Sequence, residues 1–160
     1  MENVKLRKMS EKDFDIYFQN KVDRYTDVLS QNIHELGEET SSVAIKQLNN
    51  LLPKGLFTPN HYLFNIYDGK QIAGYVWIKI EVEKKSAFLY EIFIFEELRG
   101  RGLGTKIMEL IEGIIRQKGV CYFKLHVFGS NTGALKLYEE LGFEVVGINM
   151  LKTLEEKVLS

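Results

Sequence analysis

The chain has 160 residues, 45% hydrophobic and 27% charged, enough apolar surface for one core with an ordinary exterior and little length for a second domain. Lys and Arg number 21 against 22 Asp and Glu, a net charge of −1, so no global electrostatic pull toward nucleic acid or an anionic membrane is expected. A lone cysteine, Cys121, excludes an intramolecular disulfide, no apolar run approaches the roughly 20 residues of a bilayer span, and the start "MENVKLRKMSEKDF" lacks a secretion-signal core, which together predict a cytoplasmic protein.

Residues 4–9, "VKLRKM", alternate like a first strand. Ser10, followed by Glu11 and Asp13, supplies an N-cap and an acidic first turn for a helical region that continues, with interruptions, to about Leu52. There "LLPKGLFTPN" stops it with Pro53, Gly55 and Pro59. This loop is too short to separate two cores, and no internal repeat is visible, so residues 1–160 are expected to form a single domain.

From His61 the apolar period falls to about two. Two strands are predicted, joined at Asp68-Gly69, a strong hairpin dipeptide. The next strand, "AFLYEIFIF" (87–95), is almost continuously apolar and reads as a central strand broken by one acid, Glu91. Leu103, Ile107, Leu110, Ile111, Ile114 and Ile115 then recur at helical spacing, predicting a helix over 103–118 closed by Gly119. Residues 120–128 read as a strand, 131–141 as a short helix closed by Gly142, and "FEVVGINMLK" as a closing strand. This order of elements defines an α/β fold with helices packed on a sheet.

Between the central strand and the long helix, "RGRGLG" places Gly100, Gly102 and Gly104 beside Arg99 and Arg101. Glycines at a strand-to-helix turn let an anion reach backbone N–H groups, and the helix dipole adds positive potential there. A P-loop is excluded because Gly104 is followed by Thr105 and Lys106 rather than Lys-Ser/Thr, and the dinucleotide fingerprint because the third glycine arrives one residue early. A simple tight turn stays open on these residues alone. His34, His61 and His126 stand far apart with no ligand partners at metal spacing, so no metal is expected.

Arg99-x-x-Gly102-x-Gly104, together with the downstream run Asn131-x-x-Ala134 followed by Tyr138, Gly142 and Phe143, resembles the two ordered motifs of the GNAT superfamily of N-acetyltransferases. The resemblance is strong over residues 61–152 and loose before them. It implies a mixed, mostly antiparallel central sheet flanked by helices, with a V-shaped splay between two central strands. It further implies acetyl-CoA as acyl donor, held by main-chain groups near Phe93 and Ile94, by the turn Arg99, Gly100, Arg101, Gly102, Leu103, Gly104 and Thr105, and by Asn131, Ala134 and Tyr138; Lys106 adds a nearby cation. The implied reaction is direct attack of a primary amine, free or on a peptide, within a ternary complex. A non-catalytic acyl-CoA-binding regulatory module is the alternative, and the chain is compatible with a homodimer.

Transfer to nitrogen needs a base for the amine and an acid for the departing thiolate. Tyr138 matches the family tyrosine and is the expected acid. Glu91 is the expected base, on the reasoning that desolvation on an apolar strand raises its pKa; exposure to solvent or pairing with Lys79 or Lys124 on a neighbouring strand is the competing expectation, and Glu81 and His126 are weaker candidates. Eight carboxylates against five Lys and Arg between Ser10 and Asn60 hint at a cationic acceptor. Phe14, Tyr17, Phe18 and Tyr25 either line its pocket or belong to the core. Cys121, with no adjacent base, is expected to be a buried small hydrophobe rather than a nucleophile.

Overall fold

The computed structural model describes residues 3–32 and 40–154, which fall into two compact units, 1–126 and 127–160. In the first unit five strands form one sheet in chain order: β1 (Val4–Lys8), β2 (His61–Asp68), β3 (Gln71–Glu81), β4 (Ser86–Ile94) and β5 (Tyr122–Leu125). The first three pairings are antiparallel and β4·β5 is parallel. Gly69, at φ +65°, makes the tight β2–β3 turn that the Asp68-Gly69 dipeptide predicts.

Helix α1 (Glu11–Asn32) starts at a reciprocal cap. The Ser10 hydroxyl accepts from the Asp13 N–H at 3.1 Å, and the Asp13 carboxylate accepts from the Ser10 N–H at 3.1 Å. Together with α2 (Thr40–Leu51) it covers one sheet face through Phe14, Tyr17, Val22 and Leu48, buried against Leu63, Tyr75 and Trp77. Phe14 and Tyr17 are therefore core residues, with Phe18 packed beside them, while the Tyr25 side chain lies outside those described. Helix α3 (Leu103–Gln117) buries Leu103, Ile107, Met108, Ile111 and Ile115 and contacts β1 and β4.

Two departures from the sequence reading bear on function. The strand expected over 120–128 is paired only from Tyr122 to Leu125, and its register ends at Leu89↔Leu125. Beyond that point Tyr90 to Ile94 of β4 continue with no strand on that edge among the described residues, at the place where a splay between two central strands is expected. In the second unit, α4 (Thr132–Glu140) forms, whereas the closing strand expected over 143–152 does not. A period-two pattern says which way side chains turn, but a strand needs a neighbouring backbone to satisfy its N–H and C=O groups. Val146, Ile148 and Met150 stay exposed in this segment.

Candidate active site

The register of β4 is broken where the chemistry is expected. Trp77 pairs with Glu91 and Ile78 with Leu89, so Tyr90 is the extra residue of a β-bulge. Pairing places Glu91 and Phe93 on the face of the sheet that carries Trp77 and Tyr75, beneath α1. The bulge also brings Tyr90 onto Trp77, with rings stacked at 4.5 Å.

Tyr17, Lys21 and Arg24 lie at i, i+4 and i+7 of α1, one helix face, and all three converge on Glu91. The Tyr17 hydroxyl donates to Glu91 Oε1 at 2.9 Å and Lys21 Nζ to Oε2 at 2.9 Å. Arg24 forks across both oxygens, Nη1 to Oε2 at 2.6 Å and Nη2 to Oε1 at 3.1 Å. Its guanidinium carbon also stands 3.8 Å from the centre of the Phe93 ring. An ionised carboxylate accepts about four hydrogen bonds, and Glu91 receives four from these donors.

The expected upward shift of the Glu91 pKa is thereby reversed. Burial pushes the carboxyl up, but the Lys21 and Arg24 charges and their hydrogen bonds outweigh it and hold the group below the usual carboxylate value. Neither Lys79 nor Lys124 is the partner; Lys79 pairs instead with Glu81 at 3.2 Å. Burial first, and then the Glu91 charge, holds the Tyr17 phenol well above its ordinary value. Sequence reading missed Lys21 and Arg24, although their helix-face spacing with Tyr17, opposite the single acid of a buried strand, is a signal that could have found them.

The turn after β4 is built the opposite way. Gly100 and Gly102 both sit at φ +78°, a left-handed conformation that L side chains rarely adopt. Gly102 is the N-cap of α3 and offers no side-chain bond. None of the N–H groups of residues 100 to 105 meets an acceptor among the described residues. Arg101, Gly102 and Thr105 are exposed and Leu103 is buried, so the turn presents main chain to solvent while its leucine anchors it.

Arg99 does not extend into solvent as a free cation. Its Nε donates to the Ile94 carbonyl at 2.8 Å and its guanidinium lies 5.2 Å from the Phe93 ring centre. The Phe93 carbonyl is directed at β3, where a Cβ on Gly74 would collide with it, and the Phe95 N–H donates to Ala73 O at 2.9 Å. Alternation in an antiparallel pair then turns the backbone groups of Ile92 and Ile94, rather than those of Phe93, toward the open edge. Ile92 is thus a further main-chain candidate that the sequence did not single out.

In the second unit Asn131 caps α4, its Oδ1 accepting from the Ala134 N–H at 3.1 Å, so that amide is already bonded. Tyr138 stands edge-on to Phe143 at 5.7 Å, and burial raises its phenol above the ordinary value. Gly142, at φ +100°, ends the helix. Of the remaining candidates, Glu81 is held below the usual carboxylate value by hydrogen bonds from Lys84 and Lys79. His126 lies one residue past β5 and is exposed. Cys121 is exposed rather than buried, because its backbone serves the sheet margin, N–H to Lys85 O at 2.8 Å, and leaves the side chain outside.

The free edge of β4 thus leads into a glycine turn whose amides meet no acceptor among the described residues. Comparison with known proteins gives the family: residues 23–143 match the Acetyltransferase (GNAT) family, and the chain belongs to it. The N-acetyltransferase YycN of Bacillus subtilis is 34% identical over 122 residues, 74% of this chain and 78% of YycN. YdgE of the same organism, also an N-acetyltransferase by name, is 30% identical over 156 residues, 93% of this chain and 97% of its own. The crystal structure of YycN superposes with a TM-score of 0.88, covering 96% of this chain and 99% of that one at 31% identity. The protein is an acyl-CoA-dependent acetyltransferase.

Proposed function

We propose that the protein transfers the acetyl group of acetyl-CoA to a primary amine by direct attack within a ternary complex. The observation that carries this reading is the set of backbone donors at residues 100 to 105 that meet no acceptor among the described residues, placed at the end of a strand edge that pairs with none of them. The diphosphate of the donor takes those N–H groups, with Gly100, Gly102, Leu103, Gly104 and Thr105 supplying main chain and Arg101 and Lys106 supplying charge. The pantetheine adds to the β4 edge as a strand would, through Ile92 and Ile94, and Arg99 stiffens that edge by its bond to the Ile94 carbonyl. A main-chain donor on this edge polarises the thioester carbonyl, so that the oxyanion formed on attack meets a fixed dipole. Asn131 contributes its side-chain N–H groups to the donor, since its oxygen is committed to the cap.

Tyr138 is assigned the proton donor to the departing thiolate. Its raised pKa keeps the phenol protonated at neutral pH. Glu91, with its acceptor positions filled, is assigned to hold Tyr17, Lys21 and Arg24 in place, with Arg24 over the Phe93 ring, and the proton of the amine leaves through water. Calorimetry with acetyl-CoA followed by thiol-release assays on an amine panel tests the reading. Saturable binding and amine-dependent thiol release are expected; binding with no release for any amine would reduce the protein to a carrier of acyl-CoA. Tyr138→Phe is expected to lower kcat by about 100-fold with acetyl-CoA affinity unchanged, and an unaltered kcat would remove Tyr138 from the chemistry.

A further inference from the structure

On the sheet face that carries Glu91 and Phe93, the other end of β4 opens into a cavity of about 190 Å³, lined among others by Lys79, Glu81, Lys84, Phe88, Tyr90 and Lys124. Pairing fixes the shared face: Trp77 lies opposite Glu91, Lys79 is two residues further along β3, and Phe88 is opposite Lys79. Phe88 and Tyr90 are five and three residues from Phe93, roughly 17 and 10 Å along an extended strand.

The lining combines aromatic rings with lysine side chains. Phe88 and Tyr90 rings lie 4.7 Å apart, and Tyr90 is stacked on Trp77 at 4.5 Å. Trp77 is itself fixed, its Nε1–H donating to His61 Nδ1 at 2.9 Å, which leaves the neutral imidazole with its proton on Nε2. Burial and then the Lys79 charge lower the His61 pKa, so this ring adds no cation at neutral pH. Glu81 binds Lys79 through Oε1 at 3.2 Å and Lys84 through Oε2 at 3.1 Å. Lys124 has no carboxylate partner among the described residues, so the lining sets three ammonium groups against a single carboxylate.

We infer that this cavity is the acceptor subsite for an anionic end: the amine substrate carries a carboxylate or phosphoryl group on an apolar body, about 10 to 17 Å from the reacting nitrogen. The apolar body rests on Phe88 and Tyr90, the anion meets Lys124 with Lys79 and Lys84, and the amine reaches the open edge at Ile92 and Ile94. This rests on the acetyl-transfer reading and replaces the cationic acceptor expected from the acidic N-terminal segment. That segment's charges describe a stretch of chain, whereas the cavity's charges face one site.

The test uses the full chain saturated with CoA, which forms a dead-end complex requiring no turnover. The tripeptide Gly-Gly-Phe, its C-terminal amide and phenyl phosphate are titrated at constant ionic strength by calorimetry and by the emission of Trp77, the single tryptophan. Gly-Gly-Phe or phenyl phosphate is expected to bind at least about tenfold more tightly than the amide, with a matching saturable change in Trp77 emission. The tighter of the two anions tells a carboxylate end from a phosphoryl end. Lys124→Glu is expected to abolish the preference and Lys124→Arg to keep it; Lys124 is exposed, so both variants are expected to fold. Equal affinity for the acid and its amide with no tighter phenyl phosphate, a preference untouched by Lys124→Glu, or binding silent at Trp77 would each overturn the inference. Loss of CoA binding itself would instead contradict the acetyl-transfer reading, and the CoA titration separates the two failures.

Discussion

The turn after β4 and the carboxylate within β4 handle hydrogen-bonding capacity in opposite ways. At residues 100 to 105 a run of donors meets no acceptor among the described residues, while at Glu91 two oxygens receive four donors from a single helix face. The first arrangement is open to an outside anion; the second is closed, and ties α1 to the sheet. An isolated acid on an apolar strand looks reactive in sequence, yet reactivity requires a lone pair that is free to accept a proton. The N-terminus of α4, where Asn131 bonds Ala134, belongs with the closed kind and that of α3 with the open kind.

Closing the open site is the most damaging way to break this contrast. Gly102→Asp keeps a residue type that tolerates left-handed backbone and sets a carboxylate among the bare amides. At an effective dielectric of about 20, repulsion of the diphosphate amounts to about 4 kcal/mol at 4 Å, or roughly 1,000-fold in the Kd for acetyl-CoA. Calorimetry reads this directly.

Opening the closed site acts on stability instead. Glu91→Gln leaves Lys21 and Arg24 without their counter-charge and is expected to cost about 3 kcal/mol in urea unfolding at pH 7. Because the folded-state pKa of Glu91 is lowered, its contribution is present above the unfolded carboxylate value and is lost as pH falls through the folded value. Wild-type stability should therefore decline with acid below about pH 4.5 more steeply than that of the variant. The acidic limb of the pH–rate profile should survive in Glu91→Gln; its disappearance would restore Glu91 as the base.

The smallest effect belongs to the self-capped helix. Asn131→Ala is expected to cost about 1 kcal/mol of stability through loss of the cap, and a fall in acetyl-CoA affinity beyond that would reveal a direct contact from its side-chain N–H groups.

Much of this was legible in the sequence because the signals are local. Gly69 announces the hairpin, the stripe from Leu103 to Ile115 announces α3, and the glycines at 100 and 102 occupy the left-handed positions that glycine permits. What escaped depends on partners distant in the chain. The pairing of Glu91 with Lys21 and Arg24 joins positions about 70 apart, and composition near Glu91 gives no hint of it. The β-bulge at Tyr90 leaves no mark in the apolar pattern, so the choice of Ile92 over Phe93 as an outward-facing backbone could not be read. The missing strand over 143–152 makes the same point, since alternation describes side chains and pairing needs a second backbone.

The account stands or falls on where the diphosphate binds. Titrating nitrogen-15-labelled protein with acetyl-CoA should shift the amide signals of residues 100 to 105 together, saturating at the calorimetric stoichiometry. Stationary signals there, while calorimetry reports binding, would place the donor elsewhere and contradict the central claim.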